Sequence, residues 1–327
     1  MRNLRSILSA GLFAGLALAA GIAPAAAQDY PTRPIRFVVP YPAGGLVDAL
    51  ARVVADNLNK EWGQPVVVEN RPGGATMIGT QAVTTAAPDG YTMLLGNTNI
   101  SINPNLQKKL PYDADKELVA VAVVNLVPTL FLVHKDVPIN SIKELIAYAK
   151  ANPGKLNYAH GGHGSFPHLA VELFKGLAKV DITAVPFQGA APSLTAVLGK
   201  HVEMLDNDIP TALEYVKSGQ LRALAITSPT RAATLPDVPT MVEAGVPGYE
   251  AVAWQGIFLP AGTPRAIIEK MNAQVIKAVA SKEVQNILEK QGVEGIPAWT
   301  PAQFDAFLKS ENVRWKNAIE AAGIKPE

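Results

Sequence analysis

The chain contains no cysteine. That excludes disulfides, thiolate nucleophiles, Cys-type zinc sites and iron–sulfur clusters, and leaves ordinary core burial as the source of stability. It also has no excess of basic charge: 29 Lys and Arg stand against 28 Asp and Glu, and no basic cluster is longer than two residues. Nucleic acid and anionic lipid attract proteins through clustered positive charge, so both are poor partners for it. Beyond the amino terminus no apolar run is long enough to span a membrane, and the strongest, residues 118–133, is broken by Asn125 and Pro128. The phosphate-loop, nucleophile-elbow, zinc-protease and dinucleotide-binding signatures are missing as well, and no cofactor is implied.

What is present begins with a leader. Arg2 and Arg5 precede an apolar stretch from Ile7 to Ile22, and Ala25, Ala26 and Ala27 follow. This reads as a secretory signal peptide over residues 1–27, cleaved before Gln28, and it sends the mature chain to the periplasm. Gly11, Gly15, Gly21 and Pro24 interrupt the stretch and argue against a retained anchor. Removing Arg2 and Arg5 takes the basic count from 29 to 27 against 28 acidic residues, a net charge of −1.

After the leader, short β-branched runs alternate with amphipathic helical patterns, which predicts an α/β fold with mostly parallel sheets. The chain crosses from one lobe to another between the apolar runs 119–126 and 130–134, and returns at Val252. The expected arrangement is two α/β lobes joined by a double crossover. Residues 28–126 and 252–327 form one lobe and residues 127–251 the other, each a mixed, mostly parallel sheet with helices on both faces. Two crossovers make a hinge about a cleft. The pattern reads Gly96–Ser101 as a polar loop, and Asp206, Asn207 and Asp208 as turn residues at a strand end.

Three glycine turns carry the chemistry. In the first, a strand runs through Pro40, Tyr41, Pro42, Ala43, Gly44 and Gly45 into a helix. Helix N-termini hold anions with unsatisfied N–H donors and the macrodipole, and glycine lets a ligand approach the backbone. A second turn is Arg71-Pro72-Gly73-Gly74, and a third runs from His160 to Ser165. Ser165 reads as a helix cap; paired with a histidine it would instead be the nucleophile of a periplasmic hydrolase. His160, His163 and His168 have a spacing compatible with a metal-binding receptor, but His160 and His163 read more readily as donors to a ligand carboxylate and His168 as a packed, hydrogen-bonded residue. Asp206 and Asp208 could do acid–base work or hold turns and water. Tyr41, Phe166, Phe187 and Trp254 are candidates either for a pocket wall or for the core.

Taken together these residues carry a resemblance. The chain is similar to the Bug-type receptors, the periplasmic substrate-binding proteins of tripartite tricarboxylate transporters. The likeness covers Tyr30-Pro31, Arg33-Pro34-Ile35, Val39 to Gly45 with Asp48 and Arg52, and Gly63 to Gly73. It continues through Pro88 to Thr92, Leu110 to Asp113, Asn152 to Tyr158, Leu235 to Thr240, Glu243 to Gly245, and Trp254 with Gly256. The resemblance implies the two-lobed fold of a type II-like periplasmic binding protein, and a receptor, not an enzyme, that closes on a small organic carboxylate and delivers it to a membrane permease. It implies ligand contacts at Tyr41, Ala43, Gly44 and Thr98 in the first lobe, and at His160, Gly161, His163, Ser165 and Asp206 in the second. His160 and Gly161 stand where the family commonly has two small hydroxyl residues, which points to a dicarboxylate or an aromatic carboxylate. The expected working unit is a monomer; a sensory role is not separated from transport.

Overall fold

The computed structural model describes residues 30–293 and 295–326; the leader read over residues 1–27 lies outside them. Two five-stranded sheets organise the chain. The first is built by β1 (Ile35–Val39), β2 (Val66–Asn70), β3 (Thr92–Asn97), β4 (Leu118–Val127) and β10 (Ala253–Pro260), in the order β2-β1-β3-β10-β4. The second holds β5 (Thr129–His134), β6 (Asn157–His160), β7 (Thr183–Pro186), β8 (Met204–Asp208) and β9 (Leu221–Ile226), in the order β7-β6-β8-β5-β9. The two orders are the same pattern twice. A strand (β1 or β6) pairs in parallel with its successor on one side and with the next strand on the other, and the remaining two strands complete the sheet.

Helices cover the sheets because their apolar stripes have nowhere else to go. In α1 (Leu46–Trp62), Leu50, Val54 and Leu58 are buried against the first sheet, and Gly63 ends the helix in a left-handed cap. The α2 helix is Met77–Thr84, and α4 is a single turn, Ala114–Glu117. In the second lobe lie α5 (Ile142–Ala151), whose Ser141 cap accepts from Glu144 N–H at 3.1 Å, α6 (Phe166–Ala178), α7 (Ala190–Leu198) and α8 (Ile209–Lys217), capped by Asp208. The α9 (Arg265–Val279) and α10 (Lys282–Lys290) helices return to the first lobe, and α11 (Pro301–Ala321) opens on a Thr300–Gln303 capping box. β4 is apolar along most of its length because it is buried on both faces.

Two helices do more than the sequence pattern suggests. Gly96–Ser101 is not a loop: Asn99–Leu106 forms α3, in spite of Pro104. Its Ile102 and Leu106 belong to the core of the second lobe, with Phe131, Tyr158 and Phe174, so a tertiary contact and not local propensity makes the helix. In α11, Phe304 and Leu308 pack in the first lobe with Trp254 and Phe258, whereas Trp315, Ala318 and Ile319 pack in the second. Two chain crossovers and two helices therefore join the lobes.

Topology fixes where a ligand can sit. In each sheet the chain reverses direction of growth between β1 and β3, and between β6 and β8. Ligands of open α/β sheets lie outside the carboxyl ends at such points. The crossing from β4 to β5 and the return to β10 lie at these ends too: Ala253 is opposite Val127, and Thr129 is opposite Asp208. The carboxyl ends of both sheets thus border the same gap. Among the described residues, no helix is long and apolar enough to cross a membrane.

Candidate functional site

In the first lobe the turn after β1 is built around Asp48. Gly44 has φ 86°, a left-handed conformation that favours glycine. Its N–H donates to Asp48 Oδ2 at 2.9 Å, and the same oxygen accepts from Arg52 Nε at 3.0 Å. Asn70 Nδ2 donates both to Asp48 Oδ1 at 2.8 Å and to the Tyr41 carbonyl at 3.0 Å. Burial pushes the Asp48 carboxyl up, but Arg52, the Gly44 amide and Asn70 outweigh it and hold the pKa at about 2. Asp48 lies in the first turn of α1, where a negative charge is favoured.

Tyr41 and Thr98 belong to the same corner. The Asn97 amide donates to the Tyr41 hydroxyl, joining the end of β3 to the turn after β1. Thr98, buried, accepts the Trp254 N–H on Oγ1 at 2.9 Å and so ties β3 to the start of β10. Tyr41, Ala43, Gly44 and Thr98 therefore share one neighbourhood at adjoining strand ends. Trp254, a candidate for the pocket wall or the core, is wholly buried in the core, with its indole N–H donating to Glu311 at 3.1 Å.

The turn after β6 belongs to the second lobe. A Cβ at Gly164 (φ 68°) would lie 2.3 Å from Leu106 Cδ1, so this turn abuts the far end of α3, the helix whose N-cap is Thr98. A Cβ at Gly161 would lie 2.9 Å from the Gly189 carbonyl carbon and 3.0 Å from Ala190 N, where the turn meets the start of α7. Ser165 occupies the N-cap position of α6 but makes no cap bond, and its buried Oγ has no hydrogen-bond partner. No histidine accepts from it, so the nucleophile–base contact that a hydrolase would need is not made.

Asp206 is not in a turn. β8 continues to Asp208, and Asp206 sits inside the sheet opposite Phe131, 3% exposed. Burial drives its carboxyl well above the usual range, Asp208 adds to this, and the Thr129 hydroxyl opposes it. Neither oxygen makes a hydrogen bond of normal geometry. Alternation along the strand would have placed it with Met204, on the core face.

The histidines stack instead of converging on an ion. His160 and His168 lie 4.2 Å apart at 13°, and His163 packs on His168 at 5.1 Å. His168 Nδ1 accepts the Gly164 N–H at 3.0 Å, and His160 Nδ1 lies 2.8 Å from the Gly162 carbonyl. Among the described residues, no group of three or more His, Asp or Glu is placed to hold a metal. The rings line a cavity with Lys108, Glu172, Lys175 and residues 322–326, to which neither the turn after β1 nor Thr98 contributes. Asp48, Asn70 and Asn97, which set the first-lobe corner, were not singled out as site residues from the sequence, although an Asp four residues after a turn glycine is a local signal for such a clamp.

Residues 50–324 match the tripartite tricarboxylate transporter family receptor, TctC. The chain is 37% identical over 327 residues to protein BugT of Bordetella pertussis, covering 99% of each. Among solved structures it is similar to R. palustris Rpa4515 with adipate, with a TM-score of 0.75 and 35% identity over 91% of this chain and 100% of that one. It is similar also to MatC from Rhodopseudomonas palustris with bound malate, with a TM-score of 0.69 and 33% identity over 89% of this chain and 100% of that one. The two-lobed α/β fold agrees with these likenesses, and the chain belongs to the tripartite tricarboxylate transporter receptor family, as a solute-binding receptor and not an enzyme.

Proposed function

We propose that the protein captures a small organic carboxylate, a dicarboxylate or an aromatic carboxylate, between its two lobes in the periplasm, and delivers it to a tripartite tricarboxylate-type permease. In this reading a signal peptide over residues 1–27 is removed on export. Residues 28–126 with 252–327 form one jaw, residues 127–251 form the other, and the receptor works as a monomer.

The observation that carries the proposal is that the carboxyl ends of both sheets border one gap, spanned by α3, which begins at the first-lobe corner and ends on the turn after β6 at the Leu106–Gly164 contact. Tyr41, Ala43, Gly44 and Thr98 contribute from one side, and Gly161 and Ser165 from the other. Because the Gly44 N–H already donates to Asp48, the neighbouring amides of that turn receive the ligand oxygens. His160 and His163 act through their peptide groups, since their rings pack with His168, and Asp206 acts from beneath the strand end. Several buried polar atoms without a hydrogen-bond partner belong to residues at or close to these ends: Ser101 Oγ, Ser165 Oγ, both Asp206 oxygens, Asn207 Nδ2 and Gln255 Oε1. Such atoms are rare in folded proteins and suit a site that binds a polar guest. The adipate and malate in the two related structures support the ligand class.

A thermal-shift series with adipate, malate, benzoate and other C4 to C8 acids tests this. At least one should raise the melting temperature with increasing concentration, as mass action requires. If none does, the protein does not bind this class of ligand.

A further inference from the structure

The histidine stack borders a cavity that the cleft does not use. Its volume is about 840 Å3, and it opens between the edge strand β7, one face of α6, the chain just after α3 and the segment after α11. Its wall is chemically one-sided. Lys108, Lys175, Lys325 and three histidines line it, while Glu172 is the one acid among its described lining residues. That carboxylate is already satisfied: Oε1 accepts from Lys175 Nζ at 2.7 Å and from the Tyr158 hydroxyl at 2.6 Å.

The donors left over point the same way. Because His168 Nδ1 accepts the Gly164 N–H, the neutral ring carries its proton on Nε2, and no protein acceptor takes that donor among the described residues. Burial above all, then His160, His163 and Lys175, bring the His168 pKa down to about 3; His160 is lowered too, chiefly by burial. The positive charge of Lys175 thus helps keep the buried His168 ring neutral, and an entering anion would relieve that potential.

We propose that this cavity is a second ligand site, for a small multiply charged anion bearing phosphate or several carboxylates, held by Lys108, Lys175 and the Nε2–H of His168. The volume lies in the range of small-molecule pockets. Lys108 stands exposed at the mouth, where it attracts the ion, and the stacked rings form the floor. The site borders the cleft only through the turn 161–165, and its existence does not depend on what the cleft binds.

The test is titration of the full chain with inorganic phosphate in one arm and citrate in another, read from the imidazole resonances of its five histidines. At least one anion should shift His168 and His160 in a saturable way, and the arm that does so tells phosphate from polycarboxylate. Lys108→Glu should weaken that binding by about tenfold or more, as loss of a charge-assisted bond implies. Lys108→Arg should restore it, and the melting temperature without added anion should be the same in all three proteins. Absence of any imidazole shift with both anions, or an unchanged dissociation constant in Lys108→Glu, would overturn the proposal.

Discussion

The Trp254 indole N–H donates to Glu311 Oε2 at 3.1 Å, and the same oxygen accepts the Trp315 indole at 2.9 Å, so one carboxylate fastens the start of β10 to the helix that enters the second lobe. Glu311 is fully buried. Burial pushes its carboxyl up, and Arg314 and the two indoles counter this; Arg314 in turn reaches Glu250 at 3.0 Å, close to the return crossing. Glu311→Ala leaves two buried indoles without acceptors. It should cost about 2–4 kcal/mol in urea unfolding, with Glu311→Gln milder because it keeps one acceptor oxygen. An alanine variant as stable as the parent would refute the fastening role.

Asp48 gives the protein an acid limb. Its carboxyl has a pKa of about 2 in the folded chain against 3.8 for an unperturbed one, so its contribution is complete above about pH 4 and disappears as pH falls towards 2. The size is on the order of 1–2 kcal/mol, since its partner Arg52 is half exposed and screened by solvent. Melting curves between pH 5 and pH 2 should fall more steeply for the parent than for Asp48→Asn. Parallel curves would show that the clamp adds no stability.

Gly161→Ala tests the second-lobe turn. The added Cβ meets the backbone of Gly189 and Ala190, which a side-chain rotation cannot relieve. We expect a loss of about 1–3 kcal/mol, a shift of the start of α7, and at least a tenfold weaker response to whichever carboxylate stabilises the parent. Full affinity in this variant would remove Gly161 from the binding surface.

Metal removal should change nothing. With the rings stacked and His168 Nδ1 engaged by Gly164, dialysis against a chelator is expected to leave both the melting temperature and carboxylate binding as they were. A fall in either on chelation, restored by zinc, would bring back a metal-binding receptor.

The strand–turn–helix units were legible in the sequence because their signals are local: the stripe Leu50, Val54, Leu58, the Ser141 cap and the glycine turns all lie within a few residues of what they specify. α3 was not legible, because the partners that bury Ile102 and Leu106 come from residues 131–174. The turn after β6 was found, but the direction of its histidine rings was not. Alternation already puts Tyr158 and His160 on one face of β6, and His168, Glu172 and Lys175 on one face of α6; that those two faces oppose each other is a matter of packing. The same period-two rule, carried past Leu205, would have placed Asp206 inward.

α11 is 21 residues long, about 30 Å of rod, with Phe304 seated in one half of the molecule and Trp315 in the other. Any motion of one half against the other must carry this rod with it or unpack one of its ends. Shortening the chain before Trp315 would therefore loosen the whole molecule, and not merely trim its tail.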